Sequence, residues 1–244
     1  MLILGYGLAL LEIFSFYLLS HSLKYSQSLK KLNPIVYYWT TFTILTGIWE
    51  FYFISNYKSI LPKAQYLIDN KEHVWTNKYS LSDLLPNKFS QLFYAEYGAY
   101  ADREYMLQGD DWSRVIEGSH CLMCGLFCLG AILYKLGNNI TEYTIFLSIG
   151  MGSQLMNSIL YLVNYFHQTR DSNNINYITQ DFPCGPYLQH RLFMYVNLLW
   201  TLMPLYVIVS LIMEYNYEKE LIRKAKILYE KVLDEKQEMT IRLN

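Results

Sequence analysis

The chain has 244 residues, of which 52% are hydrophobic and 17% aromatic, while only 17% are charged, against roughly 25% in an ordinary soluble domain. A formal net charge of -1 gives a polyanion no overall attraction, and there is no basic groove or interleaving of aromatic with basic residues, so nucleic acid is excluded as a partner. Mean hydropathy is only slightly positive, which implies a membrane protein with sizeable polar segments outside the bilayer.

Residues 2–19 form an apolar run broken only by Glu12, about the ~20 residues a bilayer needs, and read as a first transmembrane helix. No basic stretch precedes the run and no small-residue cleavage pattern follows it, which argues against a signal peptide. Glu12 either joins a polar site in the bundle or is an isolated protonated acid facing a neighbouring helix. A loop over 21–34 carries Lys24, Lys30 and Lys31, and residues 35–57 form a second span in which Thr46 and Glu50, four apart, share one helix face. The polar interlude 58–111 has Pro62 and Pro86 as breakers and is expected to contain local helices. Its stretch 89–106 suits an amphipathic helix along the membrane interface.

Three further spans are expected over 112–134, 143–166 and 192–213, the last containing Pro204, which a membrane helix tolerates. Cys121, Cys124 and Cys128 fall at i, i+3 and i+7 beside His120. With no second ligand pair on this apolar helix they read as packing residues rather than a metal site. The charged tail 214–244 reads as a solvated helix. Lysines and arginines in the tail, in the 21–34 loop and at Lys135 place those segments together on the cytosolic side, and the N-terminus and interlude on the lumenal or exterior side. The same orientation puts the acceptor sequence Asn139-Ile140-Thr141 in a cytosolic loop, without a glycan. The expected architecture is an all-α integral membrane protein. Residues 1–213 form a five-helix bundle with an intramembrane cavity, and 214–244 form a cytosolic tail.

Threading the spans alternately puts Glu50, Glu117, Asn197, Tyr161 and Asn164 roughly 7 to 11 Å below the lumenal surface at ~1.5 Å per residue, with Trp200 slightly deeper. Interhelical hydrogen-bond glue and an aromatic belt explain single residues of this kind. Two acids, an amide and an indole in one layer point instead to a ligand pocket.

These positions also belong to longer motifs. The run Ser90-Gln91-Leu92, Glu96-Tyr97, Asp102-Arg103, Tyr105, Gly109-Asp110 and Val115-Ile116-Glu117, the helix Asn197-Leu198-Leu199-Trp200 with Pro204, and Gln154 with Leu160-Tyr161 resemble the emopamil-binding protein family, the sterol Δ8–Δ7 isomerases of the EXPERA superfamily. The resemblance covers about residues 35–213. It implies a cavity that binds a sterol and shifts its ring double bond by protonation and deprotonation, without a redox cofactor or metal. Glu50, Glu117 and Asn197 are then the catalytic candidates, and Trp200, Thr46, Tyr161, Gln154 and Tyr105 the substrate-binding ones. Sterol-like lipids and cationic amphiphiles become the expected ligands, the endoplasmic reticulum the expected membrane, and a homodimer an option.

Two positions depart from the family pattern. The second-helix histidine falls on Thr46 and the fourth-helix aspartate on Ser158, and threonine does not carry a proton at neutral pH as imidazole does. Either another group, Glu50 itself or a water, delivers the proton, or the chain is a noncatalytic EXPERA protein that binds or transfers sterols. A scaffold working through its charged tail is the remaining class, but it has no need of acids at matched depth.

Overall fold

The structure is a computed structural model that describes residues 2–26, 28–104, 113–175, 177 and 192–243, with only the backbone for 113, 192–194, 218 and 231–243. It is mostly helical. In order come a short strand β1 (Leu2–Leu4), α1 (Gly5–Lys24), α2 (Pro34–Asn70), β2 (Lys78–Ser80), α3 (Pro86–Tyr100), α4 (Gly118–Leu136), α5 (Ile140–Gln168) and α6 (Leu192–Leu243). Single 3-10 turns flank β2, and a π-helical turn, Ser113–Glu117, leads into α4. Among the described residues four helices are long and apolar enough to cross a membrane: Gly5–Lys24, Arg114–Leu136, Ile140–Gln168 and Tyr195–Glu230.

The expected second span, 35–57, lies inside α2, which is not one of those four. Threonines, tyrosines and tryptophans dilute its apolar character, and its polar side chains are used inside the fold. Thr40 and Thr43 donate back to the carbonyls of Val36 and Trp39, and Trp39 donates its indole N–H to Gln154 at 3.0 Å. The helix also runs through Pro62 rather than breaking there. Asn33 caps its start by accepting from the Ile35 N–H, and Pro34 takes the first turn, where a missing N–H is harmless. Its end comes at Lys71, which is left-handed with φ 54°.

Leu45, Trp49, Phe53, Tyr57, Ile60, Ala64 and Leu67 recur at intervals of three and four along α2 and are all buried against the interlude and α1. This stripe at helical spacing organises one core, and Val36, Tyr37 and Trp39 enter a second with α4, α5 and α6. Between α2 and α4 the backbones nearly touch. A side-chain carbon on Gly47 would sit 3.1 Å from the Gly125 Cα, and one on Gly125 would sit 3.1 Å from the Gly47 Cα. Close helix approach through small residues supplies the packing that the hydrophobic effect does not provide in lipid.

The N-terminus differs from its expected helical start. Leu2, Ile3 and Leu4 pair antiparallel with Ser80, Tyr79 and Lys78, and the Gly5 N–H donates to the Asn77 carbonyl at 2.9 Å. Hydropathy marks this run as apolar but is blind to a partner strand at 78–80. The pairing joins the N-terminus to the interlude. At the other extreme, the fifth expected span and the tail form one unbroken helix, α6, whose described side chains between 212 and 230 are nearly all exposed.

The glycine crossing makes a controlled prediction. Gly125→Leu is expected to destabilise the protein by about 1–3 kcal/mol through overpacking. Gly152→Leu, at a position with nothing within 4 Å, should leave thermal unfolding in detergent nearly unchanged.

Candidate functional site

The crossing of α2 and α4 determines what stands on either side of it. Gly118 has so little room that a side-chain carbon there would lie 2.9 Å from Ile54 and 3.4 Å from the Glu50 carboxylate. Glu50 on α2 therefore sits against the first turn of α4, where Glu117 closes the π-helical turn. Such turns rotate one residue out of the regular helical progression and recur at functional sites. Arg114, one turn earlier, lays its guanidinium over the Tyr57 ring at 3.8 Å and anchors this turn to α2.

A cavity of about 120 Å³ opens between these elements. Glu50 and Thr46 line it from α2, Glu117 and Cys121 from the start of α4, Tyr161 and Ser158 from α5, and Asn197 and Trp200 from α6. The catalytic candidates are thus brought together, along with Trp200, Thr46 and Tyr161. Gln154 is not in this wall. It lies one step behind, where it holds the Trp39 indole and approaches Thr43 at 3.5 Å, so it braces the aromatic layer of Trp39, Phe42 and Trp200. Tyr105 lies outside the described residues.

The side of the cavity that sequence reasoning missed comes from α3. Expected as an interfacial helix, it folds back across α2 and brings Phe93, Tyr94 and Tyr97 to the cavity. The Tyr94 hydroxyl donates to Glu50, and Ser90 donates to the Trp49 carbonyl at 2.7 Å. Tyr97 and Tyr161 hydroxyls meet at 2.6 Å, and Tyr161 donates to Asp102 at 2.9 Å. A chain of hydroxyls thus runs from the cavity to a buried carboxylate. The signal was present in the aromatic spacing of residues 89, 93, 94, 97 and 100, but a stripe of aromatics does not say which helix it will meet. Glu96, in contrast, faces away, accepting from the Val74 N–H at 2.8 Å and pairing with His73 at 2.7 Å.

Five further residues are placed by the structure. Glu12, left open between two roles, is buried and accepts from the Trp49 indole at 3.3 Å, and Trp49 lines the cavity. Cys124 and Cys128 are buried in helix packing, while Cys121 faces the cavity. His120 bonds Ser153 at 2.6 Å.

Chemically, the wall offers two carboxyl groups for proton exchange, an indole face for a cation and an amide for orientation, within otherwise apolar and aromatic surroundings. Comparison with protein-family models, with curated proteins and with solved structures finds no match to this chain.

Loss of the Tyr94–Glu50 hydrogen bond is expected to cost about 1–3 kcal/mol. A double-mutant cycle of Tyr94→Phe with Glu50→Leu, followed by thermal unfolding in micelles, should show coupling. Additive effects would mean that the bond contributes nothing.

Proposed function

We propose that the cavity binds the ring system of a sterol-like lipid and shifts its double bond through a carbocation. The observation that carries this reading is the convergence of Glu50, Glu117, Asn197 and Trp200 on one cavity, together with the resemblance of the surrounding motifs to the sterol isomerases. In the proposed step a carboxylic acid, Glu50, donates its proton to the ring alkene and leaves a tertiary cation. Glu117, as carboxylate, takes the proton from the neighbouring carbon, so that the alkene re-forms one bond over. One proton enters, one leaves, and no electron is exchanged with a cofactor. Trp200 contributes ~2 kcal/mol to the cation when desolvated, and Asn197 orients the accepting carboxylate. Tyr94, whose hydroxyl donates to Glu50, orients that acid, and the proton taken up by Glu117 returns to Glu50 between turnovers.

A cavity of about 120 Å³ is below the ~300–1,000 Å³ of pockets that enclose a whole drug-sized ligand. The reading therefore seats the reacting rings in it and leaves the rest of the ligand among the helices or in lipid. In the same reading α2 supplies a fifth crossing. Its 37 residues span about 56 Å at ~1.5 Å per residue, so that its first two-thirds cross the ~30 Å core and the remainder projects with α3. The bundle then lies in the endoplasmic reticulum membrane with its tail in the cytosol.

One observation favours a second reading, a sterol-binding or transfer protein without catalysis. Thr46, at the family's histidine position, donates its hydroxyl to the Thr43 carbonyl at 3.0 Å, so its proton is engaged within its own helix. Cationic amphiphiles fit either reading, because both place acids beside an indole.

Expression in a yeast strain lacking its own sterol isomerase separates the two. Wild type is expected to restore Δ7-sterols, Glu117→Gln to reduce turnover by at least ~100-fold, and Trp200→Leu by roughly 30-fold. If wild type leaves Δ8-sterols untouched yet binds radiolabelled sterol, and Thr46→His alone confers turnover, the chain is a binding protein.

A further inference from the structure

A separate cavity of about 290 Å³ lies at the N-terminal end of α2, between the loop before α2, the first turn of α5 and α6 where it leaves the bundle. Its polar walls are Lys31, Asn33, Tyr143, Ser210 and Glu214. Asn33 is spent, accepting from the Ile35 N–H and donating to Tyr206 at 3.0 Å. Tyr143 is not. It is 2% exposed, lines the cavity, and its hydroxyl has no hydrogen-bond partner among the described residues, a costly arrangement for a buried O–H group. Its ring also carries the buried ammonium of Lys135 at 4.6 Å.

Lys31 and Glu214 face the same space, and neither forms an ion pair among the described residues. A ligand that satisfies all three groups must offer acceptor oxygens to Tyr143 and Lys31 and a cationic donor to Glu214. A bare phosphate or polyphosphate meets only the first demand and is repelled by the carboxylate. A phosphodiester carrying a primary amine meets both and is net neutral, as is the Lys31–Glu214 pair. At ~30 Å³ per water-sized group the cavity holds about ten non-hydrogen atoms, the size of a phosphoethanolamine group with its ester oxygens. Ile140 and Ile212, exposed on α5 and α6, continue from this end as apolar surface for acyl chains.

We propose that this cavity seats the headgroup of a zwitterionic, amine-bearing phospholipid, with the phosphate on Lys31 and the Tyr143 hydroxyl and the ammonium on Glu214. The site shares no residue with the Glu50 cavity, so its test stands apart from that of the isomerase reading.

The test uses the full chain in detergent, titrated with phosphatidylethanolamine, phosphatidylglycerol or soluble glycerophosphoethanolamine and followed by native mass spectrometry. One phosphatidylethanolamine per chain is expected to bind at least tenfold more tightly than phosphatidylglycerol. Tyr143→Phe and Glu214→Gln should each weaken it about tenfold, and Lys30→Gln, an exposed neighbour outside the cavity, should not. Should Tyr143→Phe fail to fold, Glu214→Gln, on an exposed turn, decides alone. Equal binding of phosphatidylglycerol, indifference to Glu214→Gln, or equal weakening by Lys30→Gln overturns the site. Saturation by glycerophosphoethanolamine at the same concentration as the lipid overturns its assignment to a membrane lipid.

Discussion

The near-contact of two helix backbones at Gly47 and Gly125 is the constraint on which the rest of the bundle depends. With a side-chain carbon already at 3.1 Å from the opposite Cα at this crossing, α2 and α4 can meet in only one register, because a slip of one residue would put a leucine or a threonine where no volume exists. That register carries Glu50 to Gly118, again a residue whose missing side chain is filled by its neighbours. In lipid, where apolar burial does not discriminate between helix faces, steric fit of this kind and interhelical hydrogen bonds do the selecting.

The hydrogen bonds complete the selection. Polar pairs tie several helices together around the cavity: α1 through Glu12 and Trp49, α3 through Tyr94 and Glu50, α4 through His120 and Ser153, α5 through Gln154 and Trp39, and α6 through the Trp200 carbonyl, which accepts from Ser158 at 2.8 Å. Polar groups withdrawn from water are expensive unless paired, so these pairs penalise every alternative packing in which a partner is lost. The Glu50 carboxyl of the cavity wall is therefore held by the same interactions that hold the fold.

The bundle also has two chemically unlike ends. Around Glu50 the wall is aromatic and acidic and draws on four helices plus α3. Around Tyr143 it combines a lysine, a carboxylate and an unpartnered hydroxyl. In the proposed readings the first takes a rigid apolar ligand on which positive charge develops and the second a small zwitterion. Among the described residues α2, α5 and α6 contribute to both walls.

Hydropathy and periodicity by themselves point to the helical class and to apolar segments at 2–19, 112–134, 143–166 and 192–213, which overlap the four long apolar helices, and they group Glu50, Glu117, Tyr161, Asn197 and Trp200, which the structure brings to one cavity. Each of these follows from local composition and a fixed rise per residue. Only the tertiary structure decided the pairing of Leu2–Leu4 with Lys78–Ser80, the continuation of α2 through Pro62, the folding of α3 over the cavity and the retreat of Gln154 behind it. Those depend on which surfaces meet, and the sequence encodes that meeting in absent side chains at Gly47, Gly118 and Gly125 and in single hydroxyls such as Tyr94. Such signals have no period, and they acquire meaning only when the partner helix is in place.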